Sequence, residues 1–150
     1  MISITTRDNL HFPELYKIEN KEIVKRIDYQ YQRYKVKYTM CLLKLDSKLS
    51  KREINLKNFI RYSDEVVNIN DSFKLIFFTH TDINAAYNAL LSLEKKIIKN
   101  YFLLYSVVPF KASIIERSES NTPSEIINNL QTLLFINWNN KNEFIFLETN

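Results

Sequence analysis

The chain has 150 residues, of which 45% are hydrophobic and 25% charged, with a formal net charge of +4; this length supports one domain with a single core that buries roughly 70% of its unfolded surface. Its longest uncharged apolar run, Tyr101 to Phe110, is too short to cross a bilayer, and the N-terminus shows no leader pattern, so a cytoplasmic location is expected. Glycine is absent altogether, which excludes a Walker A loop and a Rossmann fingerprint, because both need backbone N–H groups to reach a phosphate unobstructed; one cysteine, Cys41, excludes an internal disulfide.

Residues 1 to 19 have no clear periodicity and read as an arm ahead of a domain spanning 20 to 150. From Asn20, a residue suited to an N-cap, Ile23, Ile27, Tyr31 and Tyr34 recur at helical spacing to about Lys35. Lys37 to Asp46 predicts a strand, continuous enough from Met40 to Leu43 to be buried on both faces. Ser50 and Glu53 suggest a capping box for a helix through Leu56, Phe59 and Ile60. Val66, Val67 and Ile69, then Phe73 to Phe78, form two β-branched and aromatic runs around Asn70, Asp71 and Ser72, which predicts a hairpin.

Thr81 or Asp82 then opens a helix to about Asn100, with Ile83, Tyr87, Leu90 and Ile97 on one stripe. Phe102 to Val108 and Ala112 to Ile115 read as strand, interrupted at Pro109, which cannot donate to a ladder. Thr122-Pro123-Ser124-Glu125 is a strong helix start, with Ile126, Leu130, Leu133 and Leu134 as the buried stripe. Asn142 to Glu148 closes the chain as a strand. This order implies an α+β fold, a sheet covered by helices.

Arg61-Tyr62-Ser63-Asp64, five residues, then Asn70-Asp71-Ser72-Phe73 and an apolar strand together resemble the hairpin of GGDEF domains, the bacterial diguanylate cyclase family. The turn is one residue shorter than the family's and lacks both glycines. Further echoes follow in the family's order. Cys41 to Asp46 is similar to its strand ending in Asp-x-Asp, Ser113-Ile114-Ile115 to its Ser-Ile-Gly, and Ile126, Leu133, Leu134, Phe135 and Asn142 to its closing helix and strand. The resemblance covers about residues 20 to 148. It implies a ferredoxin-like palm, a central, mostly antiparallel sheet covered by helices, with one early helix missing.

The resemblance also locates two sites. Lys44 takes the place of the family's first metal-binding aspartate, Asp46 keeps the second, Asn70, Asp71 and Ser72 replace the signature turn, and Trp138 aligns with a triphosphate-binding lysine. These changes imply a degenerate active site, loss of diguanylate cyclase activity, and neither metal nor cofactor, although the Lys44 ammonium has the charge to meet a phosphate directly. Arg61 and Asp64 match the family's inhibitory site. An arginine fork and a carboxylate suit the guanine edges and phosphates of cyclic di-GMP, while a surface ion pair is the plainer reading of the same residues.

His11 and His80 have no ligand-spaced partners, and Cys41 reads as a small core residue. The first expectation is therefore an inactive GGDEF-like scaffold or regulatory module whose partner is another protein or a second copy. The helix from Asn20 supplies its surface, with Val24, Tyr29 and Tyr38 beyond the core-facing stripe. A cyclic di-GMP receptor using Arg61 and Asp64 is the alternative. Nucleic-acid binding through Tyr29, Tyr31, Tyr34 and Tyr38 among basic residues comes third, and no membrane role is expected.

Overall fold

The computed structural model describes residues 21–101, 103 and 108–148. Among them the chain forms helix α1 (Glu22–Tyr34), strand β1 (Tyr38–Leu45), the short helix α2 (Ser47–Ser50), a 3-10 turn (Leu56–Phe59), strands β2 (Glu65–Asn68) and β3 (Phe73–Thr79), helix α3 (Ile83–Asn100), strand β4 (Phe110–Glu116), helix α4 (Pro123–Ile136) and strand β5 (Ile145–Leu147). The sheet runs β2-β3-β1-β4-β5. All neighbours are antiparallel except β4 and β5. The expected arm lies outside the described residues, as do 102 and 104–107 of the expected strand before Pro109.

The central position of β1 explains its composition. Every residue from Tyr38 to Leu45 is buried, and alternate side chains serve two separate cores. Met40 and Leu42 pack with Val24 and Ile27 of α1 and with Ile126, Leu130 and Leu134 of α4. Cys41, Leu43 and Leu45 pack on the other side with Ala86, Leu90, Leu93 and Ile97 of α3. Val24 and Tyr38 thus belong to the core rather than to an outer surface, because the helix turns the stripe containing Val24, Ile27 and Tyr31 toward the sheet.

Two helix starts are confirmed at atomic detail. The Thr122 hydroxyl accepts from the Glu125 N–H with Pro123 at the first helical position, and the Asp82 carboxylate accepts from the Ala85 N–H. Helix α1 differs from expectation. It begins at Glu22 after Lys21, whose side chain makes no capping bond.

The expected Ser50–Glu53 capping box does not form. Asp46 caps α2 first, accepting from the Lys48 N–H, and Ser50 is that helix's last residue. Glu53 then adopts a left-handed conformation at φ 50° that a helix cannot accommodate. Asn55 caps the following turn by accepting from the Lys57 N–H. With no glycine available, Lys35 and His80 also take positive φ, 57° and 55°. Lys35 closes α1 by returning its N–H to the Gln30 and Tyr31 carbonyls.

Candidate functional site

Two sets of sequence-selected residues lie at opposite ends of β3, roughly 20 Å apart at 3.3 Å per residue. At the first end the hairpin turn closes without glycine because the Asn70 side-chain oxygen accepts from the N–H groups of Ser72, at 2.9 Å, and Phe73, at 2.8 Å. Asp71 is exposed and Ser72 partly so. Phe73 stands opposite Lys44 on β1, and Lys44 stands opposite Lys111 on β4. The strand pairing therefore puts two lysines and a phenylalanine on one face of the sheet.

Trp138, just beyond α4, covers that face. Its ring centroid is 5.4 Å from the Lys44 Nζ and 5.8 Å from the Lys111 Nζ, while the Phe73 ring is 5.8 Å from Lys44. The Lys44 ammonium donates to the Leu45 carbonyl at 3.0 Å, and Lys111 donates to the carbonyls of Trp138, at 2.5 Å, and Asn140, at 2.8 Å. Burial pushes the pKa of both lysines down, with Asp46 partly opposing the effect at Lys44. Lys74, on the opposite face at the same end of the sheet, donates to the Asn70 carbonyl at 2.7 Å, and burial lowers its pKa too.

Beside this end a cleft of about 670 Å³ separates the 53–57 segment from the hairpin, with Glu53, Lys57, Glu65, Asp71 and Lys74 among its lining residues. Asp46 is engaged by backbone groups. Its carboxylate caps α2 and its N–H bonds the Pro109 carbonyl at 2.8 Å.

The Arg61–Asp64 pair occupies the other end of β3. Asp64 is buried, and its two oxygens accept from the Arg61 backbone N–H, Arg61 Nε, Arg61 Nη2 and the Thr79 N–H at 2.8 to 3.2 Å. Arg61 Nη2 also donates to the Thr79 carbonyl and the Thr81 hydroxyl, both at 2.6 Å. The Arg61 side chain remains 55% exposed. Asp64 thus orients the guanidinium and fastens the start of β2 to the end of β3, while one edge of the guanidinium faces outward. Neither residue shares the first end's cluster.

Sequence reading singled out Lys44, Phe73 and Trp138 but missed Lys111. Nothing in its local sequence distinguishes it, since its place beside Lys44 follows from strand register alone.

No family model and no curated protein matches the chain. Solved structures do. The diguanylate cyclase SiaD of Pseudomonas aeruginosa, in complex with its activator SiaC, superposes with a TM-score of 0.64 over 85% of this chain at 13% identity. This chain covers just 55% of that one. The GGDEF domain of DgcB from Caulobacter crescentus, in complex with c-di-GMP, gives 0.64 over 81% of this chain and 84% of its own at 6% identity. A Thermotoga maritima diguanylate cyclase gives 0.55 over 73% and 89% at 18% identity.

The fold is GGDEF-like. The family echoes and the α+β sheet implied from sequence are thereby supported as fold. The expectation that the chain is not an enzyme is corrected: its structural neighbours are diguanylate cyclases, and no sign of inactivation accompanies the likeness. That expectation rested on Lys44, Trp138 and the glycine-free turn together, and the missing glycines do not prevent the hairpin from forming, since the Asn70 side chain closes the turn.

The fold family implies a divalent metal at the end of β1. Lys44, Lys111 and Trp138 supply no anionic oxygen for it, and the carboxylate nearest them in sequence, Asp46, caps α2. Among the described residues, no group of three His, Cys, Asp or Glu is placed to hold a metal ion. No helix among them is long and apolar enough to cross a membrane.

Proposed function

We propose that this GGDEF-fold chain is a regulatory module of cyclic di-GMP signalling that acts by binding another protein through the outer face of α1. The observation that carries the reading is the division of that helix. Val24, Ile27 and Tyr31 are buried, whereas Tyr29 and Tyr34 remain 54% and 62% exposed and meet edge to face at 6.4 Å. The Arg33 guanidinium stands 6.0 Å from the Tyr34 ring. Exposed tyrosine beside arginine is the composition that interface centres favour. The SiaD–SiaC complex supports the reading by showing a neighbour of this fold bound to a regulatory protein.

A photoreactive phenylalanine analogue placed at Tyr34, with a control at Lys95 on α3, tests it in cells expressing the full chain. A crosslinked species specific to position 34 is expected. Equal labelling at both positions, or none at 34, overturns the reading.

A second reading rests on the outward edge of Arg61: cyclic di-GMP binds there, with Asp64 holding the guanidinium in place rather than contacting the ligand. The c-di-GMP-bound DgcB structures support a ligand of this class for the fold. Calorimetric titration with cyclic di-GMP tests it, and absence of heat at ligand concentrations up to about 1 mM, equivalent to about 4 kcal/mol, would remove it.

A further inference from the structure

The sheet ends at β2, which pairs with β3 on one side and with no described strand on the other. Ile69 closes the hairpin by donating its N–H to the Phe73 carbonyl at 3.0 Å. Hydrogen-bonded and open pairs alternate along an antiparallel ladder, so counting back through the pairs of Val67 with Leu75 and Glu65 with Phe77 turns the backbone groups of Val67 and Glu65 toward β3. Those of Val66 and Asn68 point away from the sheet, and no described residue outside the strand pair meets them. Open main-chain groups on an edge are a template for another strand, and β2, Glu65 to Asn68, carries neither the lysine nor the proline that guards many edges. Across from it the 53–57 segment runs without pairing, and the gap between them is the cleft of about 670 Å³. Val66 and Ile69, both partly buried, line the strand side of that cleft, and Ile54 lines the other. Its charges are unequally engaged. Lys57 donates to the carbonyls of Tyr62 and Asp64, and Lys74 to that of Asn70, whereas Glu53 and Asp71 are exposed and make no ion pair within 4.0 Å among the described residues. Glu65 meets Arg26 at a loose 3.6 Å.

We propose that the β2 edge takes up an extended segment of a partner protein, one that alternates basic and apolar residues, as a further strand of the sheet. The N–H and C=O groups of Val66 and Asn68 supply the main-chain hydrogen bonds that hold such a segment in register. Its apolar side chains pack on Val66, Ile69 and Ile54, and the basic side chains between them meet the carboxylates of Glu53, Glu65 and Asp71. A second copy of this chain fits the edge poorly, because pairing β2 with β2 would bring these same carboxylates together. The edge shares no residue with the Tyr29, Arg33 and Tyr34 surface of α1, so each reading stands or falls without the other.

The probe is a fluorescein-labelled hexapeptide alternating lysine and valine, titrated against the full chain by fluorescence anisotropy. Saturable binding is expected below about 1 mM, at least tenfold weaker for the glutamate–valine counterpart and for one of the two lysine–valine peptides methylated on alternate backbone nitrogens. Amide hydrogen exchange followed by NMR is expected to slow at Val66 and Asn68 when the peptide binds. Asn68→Pro removes an outward N–H without touching a bond to β3, so it should abolish binding. Glu53→Lys with Asp71→Lys, both at exposed positions, keeps the test open should the proline variant fail to fold, and is expected to reverse the preference between the lysine and glutamate peptides. No saturation by the lysine–valine peptide, equal affinity for all the peptides, or protection elsewhere than at β2 overturns the proposal. So does slowed exchange at Val66 and Asn68 that grows with protein concentration in the absence of peptide, which assigns the edge to a second copy.

Discussion

Arg117 and Asp28 stand 89 positions apart in sequence and meet in the interior, where the Arg117 Nε donates to Asp28 Oδ1 at 2.6 Å and Nη2 to Oδ2 at 3.3 Å. Tyr38 and Gln32 donate to the same carboxylate at 2.7 and 2.6 Å, and the Arg117 guanidinium also lies 4.5 Å from the Tyr31 ring. Arg117 Nη1 reaches the carbonyls of Ser118 and Asn121. The network fastens α1 to the strand pair β1 and β4. Arg117→Met leaves a buried carboxylate uncompensated and is expected to cost about 3–5 kcal/mol in denaturant unfolding. Asp28→Asn combined with Arg117→Met should recover part of that loss, because the stranded charge is gone.

The same carboxylate sets an acid limit. Burial raises its pKa, but the bonds from Arg117, Tyr38 and Gln32 outweigh burial and hold it below the usual aspartate value. A depressed folded-state pKa contributes stability that is present above the unfolded value, about 3.9, and is lost as pH falls through the folded value. Melting temperatures measured from pH 6 to pH 2.5 should therefore fall below about pH 4, and the Asp28→Asn variant should show a flatter profile over that window.

Arg61 and Asp64 should separate in their effects. Asp64→Ala removes a buried acceptor from four donors and is expected to destabilise the chain by about 2–3 kcal/mol. Arg61→Ala should cost less in stability, because its side chain is half in solvent. If cyclic di-GMP binds at this end of β3, Arg61→Ala should weaken it by about 1.5 kcal/mol or more, the scale of a charge-assisted hydrogen bond, in calorimetric titration.

The exposed tyrosines of α1 offer a contrast with those in the core. Tyr29→Ala with Tyr34→Ala is expected to change unfolding free energy by no more than about 1 kcal/mol while abolishing position-specific crosslinking to a partner from Arg33. Tyr31→Ala, which empties a place between α1 and the sheet, should instead lower stability by about 3–5 kcal/mol.

The absence of glycine leaves a strain that can be relieved. Glu53 is exposed and sits at φ 50°, a conformation that costs a residue with a Cβ about 1 kcal/mol. Glu53→Gly should recover up to about 1 kcal/mol in thermal unfolding, reduced by the greater freedom of glycine in the unfolded chain. A loss of stability would instead show that the Glu53 side chain contributes locally.

What the sequence determined by itself is local. Asp82 and Thr122 announce helix starts because the atoms that cap them lie within three residues, and the two apolar runs around Asn70 announce a hairpin because the turn is closed by its own side chain. The continuous burial of β1 was legible for a related reason, since only a strand covered on both faces tolerates an unbroken apolar run. Ser50 and Glu53 misled because Asp46 competes for the same segment and caps it earlier. The tertiary structure alone decided which distant residues meet. Strand register placed Lys111 beside Lys44, and the packing of α1 against the sheet brought Asp28 to Arg117. It also decided that Asp64 turns inward onto Arg61 and Thr79. Register and helix packing are set by the sum of many weak apolar contacts across the whole domain, so no short stretch of sequence carries them.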